Sequence, residues 1–260
     1  MATTESEAGQ RRTIDLNADV GESFGPWSMG DDERLIPLVS SVNIACGAHA
    51  GDPVTIARTV RLALANGVAI GAHPGYPDLA GFGRRDLDMT AEELEASLIV
   101  QVGAVQAIAR SEGTSVVHVK PHGALYNRAA REPELAATIA AAIACLDPGL
   151  VLVGLAGSAL LDAGRAVGLE VRAEGFADRA YEADGSLRDR RKPDAILSPA
   201  AAAAQAVAIV RDGSVPIAHA RRVAIDAETI CLHGDGPDAL ATAVAVRAAL
   251  AAAGIEVGAG

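Results

Sequence analysis

The chain has 260 residues, half of them hydrophobic and 21% charged, with a mean hydropathy of +0.24. That is enough apolar material for one large core, and the length is close to the roughly 250 residues of a single (β/α) barrel. A formal net charge of −11 without any basic stripe excludes a nucleic-acid binder, which must displace counterions with clustered Lys and Arg.

From the amino end, residues 1–12 are polar and lack an apolar stretch, so they read as a disordered leader rather than a secretion signal. Residues 13–260 read as one barrel domain, since no composition break divides them. No apolar run is long enough to span a bilayer, and Cys46, Cys145 and Cys231 are too scattered for a disulfide framework or a zinc motif. These features predict a cytoplasmic protein with reduced thiols.

Short β-branched runs alternate with longer Ala/Leu-rich stretches. The predicted strands are Thr13–Ala18, Ser41–Ala45, Val68–Ala72, Val116–Lys120, Val151–Leu155, Glu170–Glu174 and Thr229–Leu232. Helices are predicted near 31–39, 53–66, 90–112, 131–145, 156–168, 198–212 and 236–253. Several open on start signals: Asp52-Pro53, the capping box beginning at Thr90, and Ser198-Pro199. Strand–helix alternation repeated about seven times predicts a parallel sheet, closed or doubly wound. The loops at 74–89 and 175–197, rich in Gly, Pro, Asp and Arg, read equally as active-site lids or as connections. The basic run Arg188, Arg190, Arg191, Lys192 falls in the second loop and reads as solvated.

Parallel strands covered by helices are normally apolar on both faces. Several strands here break that rule with one phase. Asp15, Asn17 and Asp19 alternate with Ile14, Leu16 and Ala18; His118, Lys120 and His122 alternate with Val117, Val119 and Pro121. Arg172 and Glu174 alternate with Val171 and Ala173, and Asn43, His73, Cys231, His233 and Asp235 extend the pattern. Side chains alternate with period two, so these polar series aim into the barrel, near the carboxyl strand ends where barrel enzymes place their chemistry. Buried charges need partners, which predicts a network of Asp15, Lys120, Arg172 and Glu174.

Lys120 and Lys192 are the only lysines beside twenty arginines, so Lys120 points to a need for a compact ammonium. Histidines beside carboxylates suit proton transfer near neutral pH. The His118–His122 spacing is a weak metal signal on a strand, and no resident metal is expected. No GxxxxGK[ST] phosphate loop is present. Trp27, in the first mouth loop, reads as a packing residue, with a site cover or a partner contact as alternatives.

On the segments IDLNADVGESFGPW (14–27), VNIACGAHAGDP (42–53), GVAIGAHPGYPD (67–78), VKPHGALYN (119–127), VGLAGS (153–158), EGFADRAYEADGSL (174–187) and CLHGDG (231–236), the sequence resembles the LamB/YcsF family, the A subunits of bacterial 5-oxoprolinases. The likeness extends over nearly the whole chain after the leader. It implies a seven-stranded, TIM-like parallel (β/α) barrel of the glycoside hydrolase/deacetylase superfamily. It implies ATP-dependent opening of 5-oxo-L-proline to L-glutamate, performed with separate B and C subunits. The missing phosphate loop agrees with ATP, and any Mg accompanying it, lying mainly on those partners. At Asp194 the sequence departs from the family pattern, which carries a smaller residue there.

For that chemistry the candidate catalytic residues are Asp15 or Asp19 as general base, with Lys120 and His122 or His73 stabilising charge. The candidate substrate-binding residues are Asn17, Asn43, His49, Glu174, Arg179 and His233, with Arg179 and Asn43 on the substrate carboxylate. Two other readings stand beside it. One is a metal-dependent, deacetylase-like hydrolase acting on an amide of a carbohydrate or other small molecule through His49, His73, His118 or His122. The other is a non-catalytic subunit that positions its partners.

Overall fold

The computed structural model describes residues 12–217 and 221–259. The first strand begins at Arg12, inside the expected leader; the rest of that leader and His219 lie outside the described residues. The strands are β1 (Arg12–Val20), β2 (Ser41–Ala45), β3 (Ala69–His73), β4 (His118–Val119), β5 (Val151–Leu155), β6 (Val171–Phe176), β7 (Ser214–Pro216), β8 (Arg222–Ala224), β9 (Thr229–His233) and β10 (Ile255–Val257). The helices are α1 (Asp32–Leu35), α2 (Pro53–Ala65), α3 (Ala91–Ser111), α4 (Gly123–Ala129), α5 (Pro133–Leu146), α6 (Ala159–Ala166), α7 (Pro199–Asp212) and α8 (Ala239–Ala252).

Seven of the strands form a closed parallel barrel in the order β1-β2-β3-β4-β5-β6-β9, and pairing of β9 with β1 shuts it. The expected seven-stranded parallel barrel is therefore the fold. Two pieces were not anticipated. β10 adds to the first residues of β1, pairing Ile14 with Val257, and β7 and β8 form a separate antiparallel pair. The predicted start signals hold at three helices. Asp52 caps α2, Thr90 and Glu93 form a reciprocal box on α3, and Ser198 caps α7. Among the described residues no helix is long and apolar enough to cross a membrane.

The outward faces of the strands supply Leu16, Ala18, Val42, Ile44, Ile70, Ala72, Ile230 and Leu232, all buried under the helices. With only 3% aromatics, that shell is built from Ala, Val, Leu and Ile. All three cysteines are free. Asp194 adopts a φ of 61°, the left-handed region, where a small or short polar residue is least strained.

Candidate active site

The inward faces carry the polar series, and register aligns them. Asp19 pairs with Asn43 on β2 and with His233 on β9, Asn17 with Cys231, and Glu174 with Thr229. At the centre stands Lys120, only 2% exposed. Its ammonium donates to Asp19 Oδ1 at 2.9 Å and lies 2.8 Å from Glu174 Oε1, with Asn17 Oδ1 at 3.3 Å and Cys231 Sγ at 2.9 Å. Burial works against the charge, yet Asp19 and Glu174 outweigh it and hold the Lys120 pKa well above its ordinary value. Burial likewise pushes the Asp19 carboxyl up, but His73 and Lys120 hold it well below the usual carboxylate range. The pair is a buried, ionised one.

The amides complete this cage. Asn43 donates to Asn17 Oδ1 and Asp19 Oδ1, and its own oxygen accepts from His118 Nε2 at 2.8 Å. Asn17 donates to Glu174 and to Thr229 Oγ1, whose hydroxyl passes the chain on to Asp15. Tyr126 donates to the second Glu174 oxygen at 2.7 Å. Asp15 lies roughly 13 Å below Asp19 along β1. There it accepts from Ser40, Ser41 and Thr229 and faces Arg172 at 3.8 Å. The expected network of Asp15, Lys120, Arg172 and Glu174 is present, linked through Asn17 and Thr229.

At the mouth, His233 Nδ1 lies 2.9 Å from Asp178 Oδ2, and its backbone N–H donates to the same carboxylate. A carboxylate only accepts, so Nδ1 carries the proton and Nε2 is free to exchange one. Arg179, 5% exposed, donates to the Arg188 carbonyl while its Nε has no partner. Burial and the neighbouring Arg190 lower its pKa to about 10. Arg84 and Arg190 both reach Asp235, Arg84 at 2.5 Å.

Beside Asp19, a second cluster is formed by His49, His73, His122 and Glu22. His49 stacks on His122 with ring centroids 3.8 Å apart, and His73 Nε2 lies 3.0 Å from His122 Nδ1. Burial holds both His49 and His122 well below the ordinary histidine pKa, and burial with Asp19 and Asp235 nearby raises Glu22 well above the usual carboxylate range. The loop that covers this cluster contains Phe82, at a φ of 56°, whose carbonyl accepts from His122 Nε2. A Cβ on Gly83 would lie 2.8 Å from His49 Cβ. The loop at 74–89 is thus a lid on the histidines, while 175–197 supplies Asp178 and Arg179 to the mouth.

Comparison with known proteins decides the lineage. The sequence profile of the LamB/YcsF family matches residues 14–259. This chain belongs to the LamB/YcsF family. Among relatives, the 5-oxoprolinase A subunit of Chloroflexus aggregans is 58% identical over 246 residues, covering 94% of this chain and 98% of its own. The 5-oxoprolinase A subunit of Methylococcus capsulatus is 54% identical over 249 residues, covering 95% and 96%. A lactam utilization protein from Thermus thermophilus, solved by crystallography, superposes with a TM-score of 0.90 at 47% identity, covering 95% of this chain and all of its own.

Set against the family expectation, the structure gathers Asp19, Lys120, His73, His122, Asn17, Asn43, His49, Glu174, Arg179 and His233 at one end of the barrel. It separates their tasks. Asp15 is in the same interior but deeper, with its carboxylate taken up by three hydroxyls. Asn43 has both N–H groups engaged by Asn17 and Asp19, so it orients Asp19 and has none left for a substrate carboxylate. Glu174 is likewise saturated by Lys120, Asn17 and Tyr126. The His118–His122 spacing does not build a shared centre: His118 faces Asn43 and His122 faces His73. Glu22, Tyr126 and Asp178 escaped sequence reasoning. Continuing the period of two from Arg172 and Glu174 past the strand end reaches Asp178; Glu22 and Tyr126 lie in a loop and a helix, where that period does not apply.

Proposed function

We propose that this chain is the A subunit of a 5-oxoprolinase and holds the lactam while the ring is opened to L-glutamate, in an ATP-dependent cytoplasmic assembly with B and C subunits. The names borne by its relatives support the substrate class and the assembly. The observation that carries the chemistry is the ionised Asp19, gripped by Lys120 and Asn43 and adjacent in register to His233 with its Asp178 partner.

Ring opening adds water across the C–N bond: a C–O bond forms, the C–N bond breaks, and the departing nitrogen takes a proton. His233 Nε2 suits the proton transfers, taking one from water and returning it to nitrogen, with Asp178 stabilising the imidazolium. Asp19 orients the water. Lys120 is fully engaged by protein oxygens and sulfur, so it acts through Asp19 as a positioning residue. Arg179, with its unpartnered Nε, suits the substrate carboxylate.

ATP, when bound, would supply activation of the stable amide. The sequence has no phosphate loop, and three helix starts are already capped by side chains. Asp52 takes two N–H groups of α2, Thr90 and Ser198 take one each of α3 and α7, and residues 154–158 carry no cationic side chain. That supports placing the nucleotide and its Mg on the B and C subunits.

The test is Asp19→Asn in the assembled complex, with ATP and labelled 5-oxoproline, following glutamate release. The expected loss is about 10²–10³-fold in turnover. Near-normal turnover by a folded variant would remove Asp19 from the reaction.

A further inference from the structure

We propose that Glu22, His49, His73 and His122 form a binding site for one divalent transition-metal ion of the zinc class. Sequence reasoning expected no resident metal, and this inference departs from it without depending on which amide the enzyme opens.

Hydrogen bonds to backbone carbonyls fix the ring tautomers of His73 and His122. His73 Nδ1 lies 2.7 Å from the Lys120 carbonyl, and His122 Nε2 lies 2.9 Å from the Phe82 carbonyl. Carbonyls only accept, so each of these nitrogens is the N–H of its ring. The opposite nitrogen of His122, Nδ1, then presents a lone pair, and it lies 3.0 Å from His73 Nε2, which also faces Asp19 Oδ2 at 3.3 Å. A proton on His73 Nε2 satisfies both of those contacts, but it leaves His49 unmet. That ring is fully buried, stacked flat on His122, and neither of its nitrogens has a hydrogen-bond partner. A buried imidazole with two unmet nitrogens calls for a ligand.

The donor set is complete without rearranging the backbone. One atom from each of Glu22, His49, His73 and His122 lies within 4.8 Å of the others, and all four residues are buried. Three imidazoles and a carboxylate suit zinc, cobalt, iron or manganese, not calcium, which prefers an all-oxygen shell. The carbonyl partners of His73 and His122 are the outer contacts that fix ring orientation in metal-binding histidines. Asp19, with Oδ2 at 3.3 Å from His73 Nε2, places further negative charge beside the centre.

The experiment is Co²⁺ and Zn²⁺ titration of the chelator-stripped full chain, read by metal content, the visible Co²⁺ spectrum and thermal unfolding. Expected are one ion per chain, a Co²⁺ band without thiolate charge transfer, and a raised unfolding temperature. His49→Ala and Glu22→Gln should each weaken binding by about 100-fold or more. Absence of stoichiometric binding to the wild-type chain overturns the site. So does binding that survives His49→Ala unchanged but is lost in His233→Ala, since that would move the ion to the alternative trio of Asp19, Cys231 and His233.

Discussion

His118 opens β4 and Lys120 stands just past its end, and the two meet burial in opposite ways. Lys120 keeps its charge because two carboxylates lie within 3 Å, whereas His118 gives its charge up: burial, the largest influence, lowers its pKa to about 4. Its Nδ1 has no partner and its Nε2 donates to Asn43, as the neutral ring requires. The unfolded chain protonates this ring below its ordinary pKa of 6.5 and the folded chain does not until about 4, so the unfolded state binds more protons between those values. Stability therefore falls as pH drops through that window and levels off below it, by ~3 kcal/mol from this residue. His49 and His122 act in the same direction, so the contribution has to be isolated by substitution. In urea unfolding with a chelator present, His118→Gln should lose about 2 kcal/mol less than the wild type between pH 7 and pH 4.5. Equal losses would show that His118 is not held neutral.

At the level of elements, the period of two was enough to find the barrel, its inward faces and most of the central cage, because six strands carry polar residues in one phase. What it could not find is instructive. β10 is three residues long and supports only the lower half of β1, too short to show a pattern, and α4 begins at Gly123, right after Pro121, where a helix start is masked by two residues that usually break helices. The histidine cluster depends on His49 and Phe82, both in loops, where side-chain direction follows no period. Gly71, on β3, has a packing role. A Cβ there would lie 2.0 Å from His118 Nε2, so the bare backbone of β3 is what lets the imidazole cross to Asn43. Gly71→Ala should cost about 2–3 kcal/mol by overpacking. The double variant Gly71→Ala/His118→Ala should recover part of that, the sum of the single losses exceeding the loss in the pair. Additive losses in chemical denaturation would mean that the ring has room elsewhere.

For the molecule as a whole, a charged cage is tolerable only because an apolar shell of small aliphatic residues surrounds it, which leaves aromatic side chains scarce. Against that economy the single tryptophan is conspicuous: Trp27 is 67% exposed, in a turn after β1 where its ring faces Phe24 at 6.3 Å. The backbone of Phe24 and Trp27 is joined by two hydrogen bonds, and Gly25 donates to the Asp52 that caps α2, so the turn is held in place. Packing inside this chain does not account for a tryptophan left in solvent, whereas a rigid aromatic anchor is what protein interfaces favour at their centres. In the proposed assembly the barrel would present its mouth to its partners, and this turn follows the carboxyl end of β1 at that mouth. Trp27→Ala should therefore leave the unfolding free energy of the isolated chain within about 0.5 kcal/mol of wild type. It should weaken association with the proposed B and C subunits by about tenfold or more, equivalent to ~1.4 kcal/mol, in a calorimetric or sedimentation titration. An unchanged association constant would place the docking face away from the first mouth loop, and a large loss of intrinsic stability would return Trp27 to a packing role.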